Sequence, residues 1–389
     1  METSPKYRVV SIDILRGIVM VIMALDHTRD FFHATAMTDS PLNLATTTVP
    51  LYFTRWITHF CAPTFVFLSG ISACLAANHK TPAQAGGFLI KRGLWLILVE
   101  IVIITLGLTF NPFYNFIILQ VIWAIGCSMI LLGLLLRFGS RTLLVLGCLL
   151  FFGHNIFDHL QLPDSGVGNV FFKFLFTSQG NVFPISNSYF IGDFYAILPW
   201  TGIMFLGFCC GKWFSLEYSP ERRKKLLLIS GLSLCLLFVV FRYFNIYGDP
   251  FPWDKIHFLS FLNINKYPPS LLYCCATIGP GLIILSLLEF ATAGWTKIFA
   301  TYGRVPFFYY VLHFYILHLI LVIVFFATSH TTAEIVDKTE PFLFRPSQFG
   351  YGLTIVYCIW LSVVASLYLP CKWFYKYKLT HSQWWLKYL

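Results

Sequence analysis

The sequence carries little charge. Only 11% of its 389 residues are Asp, Glu, Lys or Arg, whereas 57% are hydrophobic and the mean hydropathy is +0.72. A soluble globular domain contains about 25% charged residues, so the composition excludes an ordinary soluble protein. It predicts an all-α protein that crosses the membrane many times, and the 19% of aromatic residues fit the Trp and Tyr belts of membrane interfaces.

Other features are missing as well. No small-residue cleavage site follows the first apolar run, which contains Asp13 and Arg16, so we expect a retained span rather than a signal peptide. The sequence has no convincing internal repeat, such as the inverted halves of many secondary transporters, and no stretch that indicates a separate soluble domain. We therefore expect one integral-membrane domain over residues 1–389.

Metal-ligand spacing is missing among the 11 cysteines. Most of them lie inside apolar runs, and the adjacent pairs Cys209-Cys210 and Cys274-Cys275 do not match the spacing of metal sites. We interpret the cysteines as small hydrophobic residues and assign no metal.

Apolar stretches of about 20 residues, the length needed to cross a bilayer, recur along the chain. We predict about ten spans, at 8–27, 56–77, 88–108, 113–136, 141–157, 190–212, 226–244, 270–289, 302–326 and 350–371. The ninth is expected to break at its inner end, near Gly303 and Pro306. Four longer connections are long enough to fold over an outward-facing site; they are 28–55, 158–189, 245–269 and 327–349.

The net charge of +10 is distributed unevenly along the chain. With a cytoplasmic N-terminus, 18 of the 27 Lys and Arg residues fall in inner segments and 8 in outer loops, and Arg16 lies inside a span. This bias predicts that both termini are cytoplasmic. The basic run 221–225 is then a topology signal, and the charge does not indicate a nucleic-acid partner.

The first span carries a polar stripe. On an α-helix, which turns about 100° per residue, Arg16 and His27 point within about 20° of one another and Asp13 lies about 60° away. A charged residue at the centre of a bilayer costs about 2.5–3.5 kcal/mol, so it usually faces the interior of a bundle or a wet cavity. The stripe indicates a functional site; the alternative is an Asp13–Arg16 pair that only locks helices together.

Further candidates lie on later spans. His313, near the middle of the ninth span, is the better functional candidate, while His318 points about 140° away and is equally well interpreted as a satisfied interior histidine. Lys91 and Arg92 begin the third span, as topology anchors or as contacts of an anionic cytosolic ligand.

Two carboxylates, those of Glu100 and Asp193, each have two interpretations. Glu100, inside the third span, is either the partner of a buried cation or part of a wet cavity. Asp193, which opens the sixth span, either orients a histidine or is an ordinary interfacial carboxylate.

Five collinear segments carry a family resemblance. They are RVVSIDILRGIVMVIMALDH, PTFVFLSG, ILPWTGIMFLG, KYPPSLLY and GRVPFFYYVLHFYILH. Together, over nearly the whole chain, they resemble the bacterial relatives of heparan-α-glucosaminide N-acetyltransferase. The spacing of Arg16 and His27 also resembles the signature of the wider transmembrane acyltransferase superfamily, whose members acylate sugars of the cell envelope.

The resemblance implies a helix bundle that takes an acetyl or other acyl group from cytosolic acyl-CoA. It implies transfer to an acceptor, often a glycan, on the far side of the membrane. By the superfamily pattern, Arg16 helps to bind the thioester part of acyl-CoA and His27 is the catalytic residue. The lysosomal enzyme carries Asn in this place and its histidine several residues later, so His33 is a second candidate for the base.

The residue types suit acyl transfer. An imidazole, with an ordinary pKa of about 6.5, can take a proton from a sugar hydroxyl or amine, and Asp26 and Asp30 are candidates to orient it. Arg16 can contact acyl-CoA or the oxyanion of the transition state, with Asp13 and His313 as supports. A covalent acyl-histidine and a direct transfer remain alternatives.

Two rival functions fit the same stripe. A proton-coupled transporter also uses Asp, Arg and His inside a membrane, and a non-catalytic partner protein would use the stripe for packing alone. We favour the acyltransferase, with acyl-CoA, a glycan or other small acceptor and the lipid bilayer as partners. We expect a multi-pass protein of the bacterial cytoplasmic membrane, and small-residue faces permit a homodimer.

Overall fold

A computed structural model describes residues 9–78, 80–160, 166–178, 180–337, 341–346 and 349–387. The chain is a mostly helical bundle, which confirms the predicted fold class. Among the predicted features, the cations Lys6, Arg8 and Lys338 and the first residue of the first span lie outside the described residues.

The helices follow one another in this order: α1 (Val10–Phe32), α2 (Val49–Ile57), α3 (Cys61–Ala77), α4 (Pro82–Val99), α5 (Thr105–Thr109), α6 (Val121–Leu135), α7 (Ser140–Gly153), α8 (Val167–Phe172), α9 (Ile197–Cys210), α10 (Pro220–Phe244), α11 (Phe258–Leu262), α12 (Leu271–Leu287), α13 (Gly294–Arg304), α14 (Pro306–Ala327) and α15 (Leu353–Thr380). A 3₁₀ turn, Thr58–Phe60, joins α2 to α3, and a π-helical turn, Glu100–Ile104, joins α4 to α5.

Within the described part of the chain, eight helical segments are long and apolar enough to cross a membrane. They are Val49–Ala77, Val121–Phe138, Ser140–Asp158, Ile197–Phe214, Pro220–Phe244, Leu271–Phe290, Pro306–Ala327 and Leu353–Thr380. The other two predicted spans lie in α1 and α4, both helical and both carrying charged side chains. The number of spans and the side of each terminus stay predictions.

Two predicted spans begin too early, at 113 and at 190. Residues Phe116–Leu119 form strand β1, Asn181–Ser186 form β2 and Tyr189–Asp193 form β3, in a small sheet of order β1-β3-β2. β3 pairs parallel with β1 and antiparallel with β2. Periodicity alone does not distinguish a short apolar strand from the start of a helix, so the sequence did not predict the sheet.

Helix α1 lies at the centre of the bundle. It packs against α3, α12, α13, α14 and α15, and its Ile14, Ala24 and Phe31 are fully buried. Because other helices surround α1, its polar side chains face protein rather than lipid.

The crossing of α1 and α13 is very close. A Cβ on Gly17 would lie 1.8 Å from the carbonyl oxygen of Phe299, and a Cβ on Gly303 would lie 1.8 Å from that of Asp13. Glycine at both positions is therefore what lets the two backbones touch. Helix α13 ends before Val305, near the break that was predicted at Gly303 and Pro306. Pro306 occupies the first turn of α14, where its fixed φ is already helical.

An arginine from a distant loop caps the C-terminal end of α1. Arg345 is fully buried; its Nε donates to the carbonyl oxygens of Asp30 (3.1 Å) and Phe31 (3.0 Å), and its Nη2 to that of His33 (2.9 Å). A cation at this end also complements the helix dipole. The loop between α14 and α15 thus reaches the end of the helix that carries the polar stripe.

Candidate active site

The N-terminal half of α1 holds a partly buried arginine. Arg16 donates to Ser72 Oγ (2.8 Å) and to the carbonyl oxygen of Gly303 (3.2 Å), and its Nη1 lies 3.5 Å from Asp13 Oδ1. The close crossing of α1 and α13 brings that carbonyl within reach. The predicted Asp13–Arg16 pair is therefore present, and Ser72 on α3 supplies a third contact.

A second arginine lies beside Arg16. Arg92, on α4, is close enough for the two positive charges to act on one another. Its Nε is buried and has no hydrogen-bond partner among the residues that the structure describes. Lys91 points about 100° away on the helix and is exposed. Of the two predicted cations, it is Arg92 that lies near Arg16.

Asp26 sits in an ion-pair network near the other end of α1. Its Oδ1 lies 2.9 Å from Arg29 Nη2 and accepts a hydrogen bond from Thr58 Oγ1 (2.9 Å), while its Oδ2 lies 3.5 Å from Arg55 Nη1. Arg55 also donates to Thr58 Oγ1 (2.9 Å). Both carboxylate oxygens are thus engaged by groups other than the imidazole that Asp26 was expected to orient.

His27 packs against His313. The two ring centroids are 5.3 Å apart, and the ring of Phe314 lies 4.5 Å from that of His27. His27 Nδ1 lies 3.9 Å from Asp30 Oδ2, so Asp30 is the carboxylate beside this imidazole. The side chain of His27 is 14% exposed. The structure thus brings together the two histidines that the sequence singled out first.

His318 has the structural role that was one of its two interpretations. Its Nδ1 lies 3.3 Å from the carbonyl oxygen of Gly107 and its Nε2 3.0 Å from that of Leu343, and its ring stacks on Phe110. His313 differs: it is completely buried, and neither ring nitrogen has a partner in the described part of the chain.

His33 lies apart from His27. Six residues further along the chain, it points about 120° away, and its Nδ1 accepts from the backbone N–H of Thr35 (3.3 Å). Burial and the positive charges of Arg29 and Arg345 lower the pKa of His33. It lines a pocket of about 600 Å³ whose other walls come largely from loop 35–48 and the starts of α2 and α15.

The two open carboxylates have local roles. Glu100 Oε1 accepts from the backbone N–H of Gln120 (2.9 Å) and so caps the start of α6. Asp193, the last residue of β3, accepts from the backbone N–H of Tyr195 (3.4 Å). Both therefore help to join the sheet to the helix that follows it in the chain.

The sequence analysis missed a group on the segment before α3. Arg55, Thr58 and His59 are three and four residues apart, the spacing of one helix face, and all three are buried. Their signal is visible in TRWITHF, a polar stripe within an apolar stretch. Among the residues that the structure describes, no group of three or more His, Cys, Asp or Glu side chains is placed to hold a metal ion.

The family model for the catalytic domain of heparan-alpha-glucosaminide N-acetyltransferase matches residues 8–239, more than half of the chain. The chain belongs to this family. The heparan-alpha-glucosaminide N-acetyltransferase family is one of membrane acetyltransferases with acetyl-CoA as donor, so the resemblance read from the sequence is confirmed. No curated protein matches the sequence as a relative.

The matched segment contains most of the candidate site. Arg16, Asp26, His27 and the missed His59 lie inside it, whereas His313 lies beyond its end. The family therefore covers both ends of α1, and the structure adds the histidine that α14 contributes.

Proposed function

We propose that this member of the family transfers an acetyl or other acyl group from cytosolic acyl-CoA to an acceptor on the extracytoplasmic side. The observation that carries the proposal is α1 itself, one unbroken buried helix. It presents Arg16 and, eleven residues later, His27 on the same side and about 16 Å apart along the axis. A pantetheine arm is thin and long enough to follow such a path.

The proposed binding of the acyl donor, acyl-CoA, depends on two arginines, Arg16 and Arg92. Arg16, which pairs with Asp13, and Arg92 place two positive charges near one another. Guanidinium groups suit the anionic parts of acyl-CoA because they bind phosphate in a fixed geometry. We assign the anion contact to Arg16 and Arg92, with Asp13 holding Arg16 and the exposed Lys91 at the rim.

The transfer step is assigned to His27. In direct transfer, the acceptor hydroxyl or amine forms a bond to the thioester carbonyl carbon while the imidazole takes its proton. The carbon–sulfur bond then breaks, and the leaving thiolate takes up that proton. The carboxylate of Asp30 lies 3.9 Å from Nδ1 of His27, and His313 packs against the His27 ring. Asp26 supports the base indirectly, through the ion pairs that hold α2 against α1.

The proposed binding site for the acceptor substrate is the pocket lined by His33. Its volume of about 600 Å³ is within the usual range of ligand sites, about 300–1,000 Å³. Seven of its twelve lining residues are threonine, serine or tyrosine, which suits a glycan or another small polyol. In this arrangement His33 contacts the acceptor, and His27 is the base.

We further propose the bacterial cytoplasmic membrane as the location, with both termini in the cytoplasm. The lipid bilayer covers the apolar outer faces of the helices, such as that of α10. A homodimer stays a prediction.

The test is acyl-CoA binding and slow hydrolysis by the purified protein in detergent. We expect wild type to bind acetyl-CoA and Arg16→Ala to bind it at least about tenfold more weakly, the loss of one charge-assisted contact. His27→Ala should bind acetyl-CoA and fail to turn it over.

Two results would overturn the proposal. One is full transfer by a His27→Ala variant in which His33 is also changed. The other is a wild-type protein that binds no acyl-CoA but, in liposomes, carries a solute flux that depends on pH. That second result would identify a proton-coupled transporter built on the same helices.

A further inference from the structure

The buried histidines of this protein fall into two kinds. Both ring nitrogens of His154 lie within hydrogen-bond distance of a carbonyl oxygen, those of Leu150 (2.8 Å) and Pro269 (2.6 Å), and so do both ring nitrogens of His318. His59 and His313 are just as buried, at 1% and 0% exposure, yet all four of their ring nitrogens lack a hydrogen-bond partner within the described chain.

Four unpartnered nitrogens are costly for a folded protein. Each buried polar group left without a hydrogen bond costs about 1–3 kcal/mol. Such groups persist where a ligand or water satisfies them. Two hydroxyl groups in the same condition, those of Tyr309 and Tyr310, lie on α14 within one turn of His313. We infer that these groups face the space in which the substrate reacts.

Thr58 anchors the segment of His59 to α1. Thr58, the residue before His59, donates a hydrogen bond to Asp26, and Asp26 is the residue before His27. The turn between α2 and α3 that carries His59 is thereby held against the end of α1 that carries His27.

No residue has been assigned so far to stabilise the negative charge that forms during acyl transfer. Acyl transfer places negative charge on the carbonyl oxygen, and a donor is needed within hydrogen-bond distance of that oxygen. Arg16 was expected to serve, but it is bound to Ser72 and Gly303, about 16 Å along α1 from His27. It is too far away to contact a carbonyl that reacts beside His27.

The charges around His59 suit this task. Arg55 and Arg29 both pair with Asp26, and Arg29 also pairs with Asp30. Lys266 adds a third positive charge that acts on His59. These three cations outnumber the two carboxylates, and a surplus of positive charge stabilises an oxyanion. His27 differs because the carboxylate of Asp30 lies 3.9 Å from its Nδ1.

We propose that His59 is a further catalytic residue, which donates a ring N–H to the carbonyl oxygen of the acyl thioester. This rests on the proposed acyl transfer. The acceptor lone pair forms the new bond, the carbonyl π electrons move to the oxygen that His59 holds, and His27 takes the acceptor proton. When the electrons return, the carbon–sulfur bond breaks, and the thiolate recovers the proton from His27.

The test combines three variants with two ligands. His59→Phe should lower kcat about 100-fold or more, as for the loss of one oxyanion donor, with little change in the thermal unfolding temperature. His59→Gln, which keeps an N–H donor, should recover much of the rate and keep the wild-type pH profile. His154→Phe is the matched control: it should lower the unfolding temperature and leave the kcat of the folded protein within about threefold.

The second ligand is S-ethyl-CoA, which lacks the carbonyl oxygen. His59→Phe should weaken acetyl-CoA binding by about threefold to tenfold, the range for one hydrogen bond, and leave S-ethyl-CoA binding unchanged. If His59→Phe does not fold, the kcat and pH profile of His59→Gln decide. Loss of the alkaline or acid limb of that profile would make His59 a base and overturn the proposal.

The outcomes separate the two proposals. Wild-type rates in His59→Phe, alongside an active wild type, overturn the role of His59 alone. Equal weakening of both ligands also overturns it, because His59 then supports the fold rather than the carbonyl. A wild type that neither binds nor turns over acetyl-CoA instead contradicts the proposed function.

Discussion

At the scale of single residues, the surroundings of a polar side chain decide its role. Asp26 was expected to orient an imidazole, yet two arginines and a threonine occupy its oxygens. Removing one partner of a buried ion pair leaves an uncompensated charge and is strongly unfavourable. Asp26 thus holds the two arginines that shape the electric field around His27 and His59.

His33 provides a prediction about pH. Burial, Arg29 and Arg345 lower its pKa, whereas in the unfolded chain the pKa is about 6.5. Below that value the unfolded state binds a proton that the folded state resists, so stability falls as the pH falls through 6.5 toward the folded pKa. We expect His33→Asn to reduce the drop in thermal unfolding temperature between pH 7.5 and pH 5.5.

The control for this experiment is His257→Asn, since that side chain is 70% exposed in a loop. It should leave the drop nearly as large as in wild type. An equal drop in wild type and in His33→Asn would contradict the argument.

At the scale of elements, the site depends on how α1 meets its neighbours. The crossing with α13 brings the carbonyl of Gly303 to Arg16, and Arg345 fixes the opposite end of the same helix. Between them, Thr58 and Arg55 tie the segment before α3 to Asp26. The position of every candidate side chain on α1 is therefore set by contacts with residues distant in the sequence.

Gly17→Ala tests the crossing. The new Cβ would lie 1.8 Å from the carbonyl oxygen of Phe299, so α1 and α13 must move apart and Arg16 loses its contact with Gly303. We expect a loss of about 1–3 kcal/mol or more in stability, the usual cost of overpacking, and weaker binding of acetyl-CoA. Thermal unfolding and binding in detergent measure both.

Gly87→Ala is the matched control, because a Cβ there has nothing within 4 Å. Alanine favours a helix over glycine by about 1 kcal/mol, so this variant should be as stable as wild type or slightly more so. If both substitutions have the same effect, close packing at Gly17 is not what matters.

At the scale of the whole molecule, the distribution of basic residues predicts the orientation in the membrane. The predicted inner segments hold 18 Lys and Arg residues and the outer loops 8, a bias that predicts cytoplasmic termini. The orientation decides which end of α1 faces acyl-CoA. In the predicted orientation, Arg16 lies toward the cytoplasm and the pocket of His33 on the other side.

Reporter fusions test this orientation. A fluorescent protein fused after residue 380 should fluoresce, while alkaline phosphatase inserted near Asp254, in the loop after α10, should be active because it is exported. A phosphatase fusion at 216, between α9 and α10, is the matched control and should be inactive. The reverse pattern would place Arg16 on the outer side and contradict cytosolic acyl-CoA as the donor.

The sequence by itself determined the helical class, the family and the stripe on α1. The helical class and the stripe depend on composition and on a period of 3.6 residues, which one segment carries without help from the rest. The family depends on the five collinear segments, which the sequence also contains. The same reasoning separated His313 from His318, because their directions on one helix are fixed by their spacing.

Only the tertiary structure decided which residues meet across helices. Several contacts join segments that are far apart in the chain. Asp26 pairs with Arg55, and Arg92 approaches Arg16. Thr58, the residue before His59, bonds to Asp26, the residue before His27. The parallel pairing of β1 with β3 is of the same kind, since it joins residues more than 70 positions apart. Periodicity gives the direction of a side chain on its own helix, but packing determines which helix it faces.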